Sequence, residues 1–293
     1  MGNPNQETFR LSKTGIKVYL SLDYHPALIE TNLSHFDIVR KARELFSTRY
    51  GDVSGLPRIC SINSEDAQTW RYFSPLLSMP SEKKGSWIEA FLEEALKRKM
   101  NRNLVKMLQE AELMFWRGKR TEPMYFPPPN LGYPEGNTEV DLTIRTQKAV
   151  VFVEAKYHSE ISMRTKYCLK RDQIIRNIDV GTYYAWSKGL EFYFILIVSN
   201  DCDKSTKLLK HYLDASRDIV NRLPHRVDVP KRIEQIVNNL GLITWNQLQK
   251  INQRELKPIY KGGLNTPRRE PPEKPAEVGL KAQIKKLVLQ CSS

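Results

Sequence analysis

Cysteine is scarce, and so are most of the features that would place this chain at a membrane or outside the cell. Its four cysteines, Cys60, Cys168, Cys202 and Cys291, are scattered, with no CxxC pair. That spacing argues against a disulfide scaffold and against a structural zinc site. The longest apolar run, Phe192 to Val198, is far too short for the roughly 20 residues of a bilayer span. No charged-then-apolar segment at the N-terminus reads as a signal peptide, and no internal repeat is evident. A cytoplasmic protein is the expectation.

What is abundant is positive charge. Forty-six Lys and Arg face 33 Asp and Glu, a net charge of +13. Such an excess favours polyanionic partners and speeds encounter with them, though it says nothing about fold. With 293 residues and 40% apolar content, the chain can bury one sizeable core with additions, or two small domains.

Residues 1–11 are polar and read as loose, and Ile16 to Leu22 alternates like a short strand. A helix is expected over His35 to Tyr50. Ser64 is a candidate N-cap for a further helix that carries Trp70, Tyr72 and Phe73 toward the core. From Gly85 the segment SWIEAFLEEALKRK sets Ile88, Phe91, Leu92 and Ala95 at helical spacing, and Leu104 to Trp116 reads as a second amphipathic helix. Tyr125 and Phe126, flanked by prolines, suit an edge strand. Later come a helix over RDQIIRNIDVGTYYAW, a buried strand over Leu190 to Ser199, and an amphipathic helix over Asp201 to Val220. Arg232 to Leu240 and Thr244 to Ile251 then read as two short helices turning at Gly241. Past Lys257, Pro, Gly and positive charge dominate.

The most informative stretch is NTEVDLTIRTQKAVVFVEAK, Asn137 to Lys156. It reads as two strands and a polar turn, yet charge sits where a buried strand should carry none: Asp141 in the first strand, Glu154 and Lys156 in the second. Strand alternation puts Glu154 and Lys156 on one face with Val150 and Phe152. A turn centred near Thr146 and Gln147 sets Asp141 opposite Phe152, with Glu154 as its diagonal neighbour about 7–8 Å away. Charges buried this way are costly unless they pair or hold a metal. Two carboxylates suit a hard cation such as Mg²⁺.

Asp141 followed thirteen residues later by Glu154-Ala155-Lys156 resembles the D…(D/E)xK signature of the PD-(D/E)xK nuclease superfamily. The flanking EGNTEVDLTI is closest to its restriction-type and RecB-like branch, and the likeness runs from about Gly85 to Asn200. One departure is Val140, where many members carry Pro before the aspartate. The resemblance implies an α/β fold: a restriction-endonuclease-like core with a mixed central sheet flanked by helices, and helical N- and C-terminal additions. It implies a Mg²⁺- or Mn²⁺-dependent nuclease acting on DNA, with Asp141, Glu154 and the Ala155 carbonyl as metal ligands. Lys156 would orient water or stabilise the transition state. It further implies a glutamate from the first core helix, best matched by Glu89, and a glutamine on the helix after the motif, matched by Gln173. Arg164, Lys166, Lys170, Arg171 and Arg176 would then lie along the phosphate path. His158, two residues past the motif, could assist proton transfer, but a lone histidine there reads more often as incidental.

The expected division is an N-terminal helical extension (1–84), a nuclease-like core (85–222), a C-terminal helical hairpin (223–256) and a flexible basic tail (257–293). Alternatives are a catalytically inactive nuclease-like protein that binds nucleic acid, and an interaction protein whose charged hairpin is a structural ion pair. Oligomeric state is open, a homodimer included.

Overall fold

Runs of β-branched and aromatic residues form the strands of this protein, and amphipathic segments form its helices. In the computed structural model the strands are β1 (Phe9–Leu11), β2 (Lys17–Tyr19), β3 (Glu112–Arg117), β4 (Val140–Arg145), β5 (Ala149–Lys156), β6 (Glu191–Val198) and β7 (Leu240–Thr244). The helices are α1 (Glu65–Phe73), α2 (Ser81–Leu96), α3 (Arg102–Leu108), α4 (Gln173–Ser187), α5 (Asp203–Asp214), α6 (Ser216–Arg222), α7 (Ile233–Asn238) and α8 (Trp245–Glu255). The structure describes residues 9–11, 17–19, 61, 63–118, 122–165, 168–169 and 171–255. The helix expected over 35–50 and the basic tail lie outside the described residues, as do Lys166 and Lys170.

β1 and β2 pair antiparallel by themselves. β3 to β7 form one mixed sheet in sequence order, antiparallel from β3 to β5 and parallel from β5 to β7. The class is therefore α/β, an open mixed sheet flanked by helices. β5 and β6 occupy its middle: all of Ala149–Lys156 is buried, and in Glu191–Val198 only Glu191 is exposed.

Parallel neighbours require a crossover, and α4 supplies it between β5 and β6. Its Ile174, Ile175 and Ile178 pack with Val150, Phe152, Phe192 and Phe194 in one buried cluster that also takes in Leu209 of α5 and Ile219 of α6. A second cluster of rings joins α1 to α2: Phe73 meets Trp87 edge-on at 5.2 Å and Phe91 at 5.4 Å. Each such ring, fully buried, stabilises the fold by about 1.5–3 kcal/mol. α8 docks on α2, where the Trp87 indole donates to Asn252 Oδ1 at 2.6 Å.

Several elements differ from expectation. The segment Leu104 to Trp116 is not one helix: α3 ends at Leu108, and Glu112–Arg117 is the edge strand β3. Residues 9–11 are not loose but pair with 17–19. Asp201 to Val220 is two helices, parted at Ala215. Tyr125 makes only an isolated bridge to Thr138. The helical hairpin expected around Gly241 is also corrected, because Leu240–Thr244 is the strand β7, paired in parallel with β6.

Gly241 is there for space rather than for a turn. A Cβ on it would meet Ile195 Cδ1 at 2.6 Å and the Ala95 carbonyl at 3.1 Å, where α2 crosses the sheet. The described residues up to Glu255 group into one unit. α1 packs on β4 and β5, and β7 with α8 packs on α2. Gly241→Val should therefore strain the α2–sheet contact and cost about 1–3 kcal/mol, read as a lower midpoint in urea denaturation.

Candidate active site

The β4–β5 hairpin closes through Thr146, whose N–H donates to the Ala149 carbonyl at 2.8 Å and whose Oγ1 accepts the Ala149 N–H at 3.0 Å. This centres the turn half-way through Gln147–Lys148, one residue later than expected. Thr143, not Asp141, is the partner of Phe152. The ladder's last pair is Leu142 with Val153, and the next step of that register sets Asp141 across from Glu154. The two carboxylate residues are opposed, not diagonal.

At that step the sheet opens. Ala155 N–H donates at 2.9 Å to the Asp141 carboxylate, Oδ2, in place of a backbone carbonyl. On the other side of β4 the pairing with β3 skips Trp116, which has a positive φ of 50°. The Trp116 indole N–H donates to Asp66 Oδ1 at 2.7 Å and fixes that bend. β5, meanwhile, stays paired with β6 out to Lys156 and Val198. Non-glycine residues at positive φ are strained and cluster at functional sites.

Glu154 is 2% exposed, and both of its oxygens are engaged. Oε1 accepts from Lys156 Nζ at 2.8 Å and from Gln173 Nε2 at 2.5 Å, and Oε2 accepts from Asn177 Nδ2 at 3.1 Å. Gln173 is itself aligned, since its Oε1 accepts the Ser162 N–H at 3.3 Å. Lys156, 7% exposed, also donates to Glu65 Oε2 at 3.3 Å, and Ser159 Oγ donates to the other Glu65 oxygen. The Lys156 carbonyl is held by the Trp245 indole at 2.9 Å and the Ser199 N–H at 3.1 Å.

Burial works against the Lys156 ammonium, but the charges of Glu154, Asp141 and Glu65 outweigh it and raise its pKa above the ordinary 10.5. Lys156 is thus a fixed cation at neutral pH. Three carboxylates, those of Glu154, Asp141 and Glu65, thus act on one ammonium. Arg176 also feels Glu154, but its guanidinium is committed to Glu135, Thr138 and the Gly136 carbonyl.

Among the described residues, no three His, Cys, Asp or Glu side chains are already grouped as metal ligands. The donor chemistry nonetheless fits a hard divalent ion, since carboxylate oxygens are the ligands such an ion takes. Beside Glu154, the buried Asn177 Oδ1 has no hydrogen-bond partner, which leaves an acceptor for a further group.

Asp141, Glu154, Ala155, Lys156 and Gln173 thus lie together at the end of the β4–β5 pair. Glu89 does not join them. It lines a groove on α2 with Glu93, Glu94, Lys99 and Arg254, and its charge acts on Lys99. The glutamate that reaches Lys156 is Glu65, in the first turn of α1.

Arg171 is corrected as a phosphate contact. It is 2% exposed and paired with Glu135 and Asp179, each at 2.9 Å. Arg176 is likewise turned inward to Glu135, whereas Arg164 is exposed on the loop before α4.

Glu65 and Asn177 escaped the sequence reading. A signal for each was present: Ser64 caps α1 and so sets Glu65 in its first turn, and Asn177 stands four residues after Gln173, on the same helix face.

Comparison with protein-family models, curated proteins and solved structures finds no match for this chain. Among the described residues no helix is long and apolar enough to cross a membrane.

Two outcomes follow from the buried cluster. Asn177→Ala strips a donor from the buried Glu154 and should cost about 1–3 kcal/mol in urea denaturation. Lys156→Met removes the cation paired with the buried Glu154 and should cost about 3–5 kcal/mol at pH 7. Because the folded pKa of Lys156 is raised, its contribution is complete below the unfolded value. It is lost only as pH climbs through the folded one, so the gap to Lys156→Met should persist to about pH 10.

Proposed function

We propose that this chain is a metal-dependent nuclease of PD-(D/E)xK type, with a restriction-endonuclease-like core, that hydrolyses phosphodiester bonds of DNA. The observation that carries it is the meeting of Asp141, Glu154 and Lys156 where β4 parts from β5. Supporting it are the mixed sheet, the glutamine at the start of α4, and the net charge of +13.

Asp141, Glu154 and the Ala155 carbonyl would hold Mg²⁺ or Mn²⁺. A divalent ion so bound supplies an acidified water and neutralises charge on the phosphoryl oxygens. The chain's own groups do the positioning. Asp141 is oriented by the Ala155 N–H, and Glu154 by Gln173 and Asn177. Lys156, already protonated, cannot serve as a base; it orients the attacking water and stabilises negative charge as it develops at phosphorus. The glutamate acting with it is Glu65, not Glu89.

A second reading, a purely structural ion pair, is favoured by one observation: both Glu154 oxygens already have donors. Calorimetry with Mg²⁺ or Mn²⁺ separates the two, since a structural pair binds neither cation.

Supercoiled plasmid, linear duplex and single-stranded DNA, each with Mg²⁺ or with EDTA, make the direct test. Cleavage is expected with Mg²⁺ only. Asp141→Ala, Glu154→Ala and Lys156→Ala should each lower the rate by about 10³-fold or more, because several kcal/mol of charge stabilisation are removed. Undiminished Mg²⁺-dependent cleavage by the purified triple variant would overturn the assignment.

A further inference from the structure

We propose that His158, oriented by Asp201, is the proton donor to the leaving oxygen of the phosphodiester. His158 has this task only if the nuclease reading above holds.

His158 follows β5 and Asp201 follows β6, the two parallel strands that end beside Glu154 and Lys156. Open α/β sheets bind their ligands at the carboxyl ends of such strands. The His158 ring meets Asp201 Oδ2 through Nδ1 at 2.6 Å, and its side chain is 44% exposed. A histidine held by carboxylate at Nδ1 offers Nε2 for proton transfer. The bond to His158 also holds the Asp201 carboxyl below its usual range, so Asp201 stays an anion that can orient the ring.

The backbone gives an independent reason. His158 has a positive φ of 55°, which is costly for a residue with a Cβ. The surroundings enforce it. The His158 N–H donates to Ser199 Oγ at 3.3 Å, and the Lys156 carbonyl just before it is bonded twice. Ser159, just after it, is tied through Oγ to Glu65, the partner of Lys156, and through its carbonyl to Cys202 Sγ at 3.0 Å. An incidental surface histidine needs none of this. The loop is pinned on both sides of His158, and one of the pins runs to the Lys156 cluster itself.

The step balances without a further reagent. The water oxygen forms the new bond to phosphorus while the bond to the leaving oxygen breaks. That bond's electron pair stays on the leaving oxygen, which takes the proton from Nε2. The attacking water releases a proton to solvent, and the imidazole regains one from solvent.

The test starts by mapping where wild type, with Mg²⁺, cuts a duplex oligonucleotide. His158→Ala and His158→Gln should cut it about 10²-fold more slowly or worse, with Asp201→Asn losing less. A second duplex carries sulfur in place of the leaving oxygen at the mapped position. A thiolate leaves without a proton, so the His158 variants should cut this duplex at the wild-type rate. His158→Gly accepts the positive φ, and free imidazole should restore its cleavage of the ordinary duplex. Equal losses on both duplexes, or no loss on either, would overturn the proton-donor role while leaving the nuclease assignment standing. Absence of any wild-type cleavage would remove both.

Discussion

A carboxylate enclosed in an otherwise apolar strand has to be answered by its surroundings, and Glu154 sets that condition for this protein. At 2% exposure it is withdrawn from bulk solvent, so donors from the chain must stabilise it. Lys156 comes from the same strand, two residues on. Gln173 and Asn177 come from the first turns of α4, which fixes where that helix begins and which face it turns to the sheet. Asp141 and Glu65 then share the ammonium, and α1 is drawn to the strand ends.

α4 can present Gln173 and Asn177 only if its own start is held, and a second buried polar system holds it. Asp172 caps the helix by accepting the Ile175 N–H at 3.0 Å, and its other oxygen accepts the Tyr212 hydroxyl at 2.5 Å. Two turns on, Asp179 is fully buried and meets Arg171, His225 and Arg226 at 2.8–2.9 Å. Burial alone would raise the Asp179 pKa, but the His225 bond and the two guanidinium charges outweigh it and lower it. Arg171 continues the chain of pairs to Glu135, beside the strand that carries Asp141. Arg171 and Arg176, expected along a phosphate path, are therefore part of the bracing behind the site. Breaking one such pair exposes another buried charge, which makes the network a rigid support rather than a set of independent bonds.

At the site the strands part, whereas elsewhere their ladders are continuous. The Asp141 side chain replaces a ladder carbonyl, Trp116 is skipped in its ladder, and β4 separates from β5 while β6 keeps β5 in place. The strain at Trp116 and His158 brackets the Asp141–Lys156 cluster, one in β3 and one in the loop after β5. Local disorder of the pairing is thus confined to where carboxylates and a cation gather.

The strands β4, β5 and β6 and the helix α4 were legible in the sequence because each announces itself within a few residues, through alternation, an apolar run or a cap. So were Asp141, Glu154 and Lys156, because charge inside such runs is conspicuous. β3 and β7 were not: ELMFWR and LGLIT read as helix or turn until a neighbouring strand offers hydrogen bonds that neither segment contains. The hairpin register escaped by one residue, since Thr146 rather than the bare apolar pattern decides the turn. Glu65 and Asn177 lie 89 and 23 residues from Glu154 and were assigned only by packing. Sequence alone determined which residues would be expensive to bury. Tertiary structure decided which partners stand around them, because those partners are close in space and far apart along the chain.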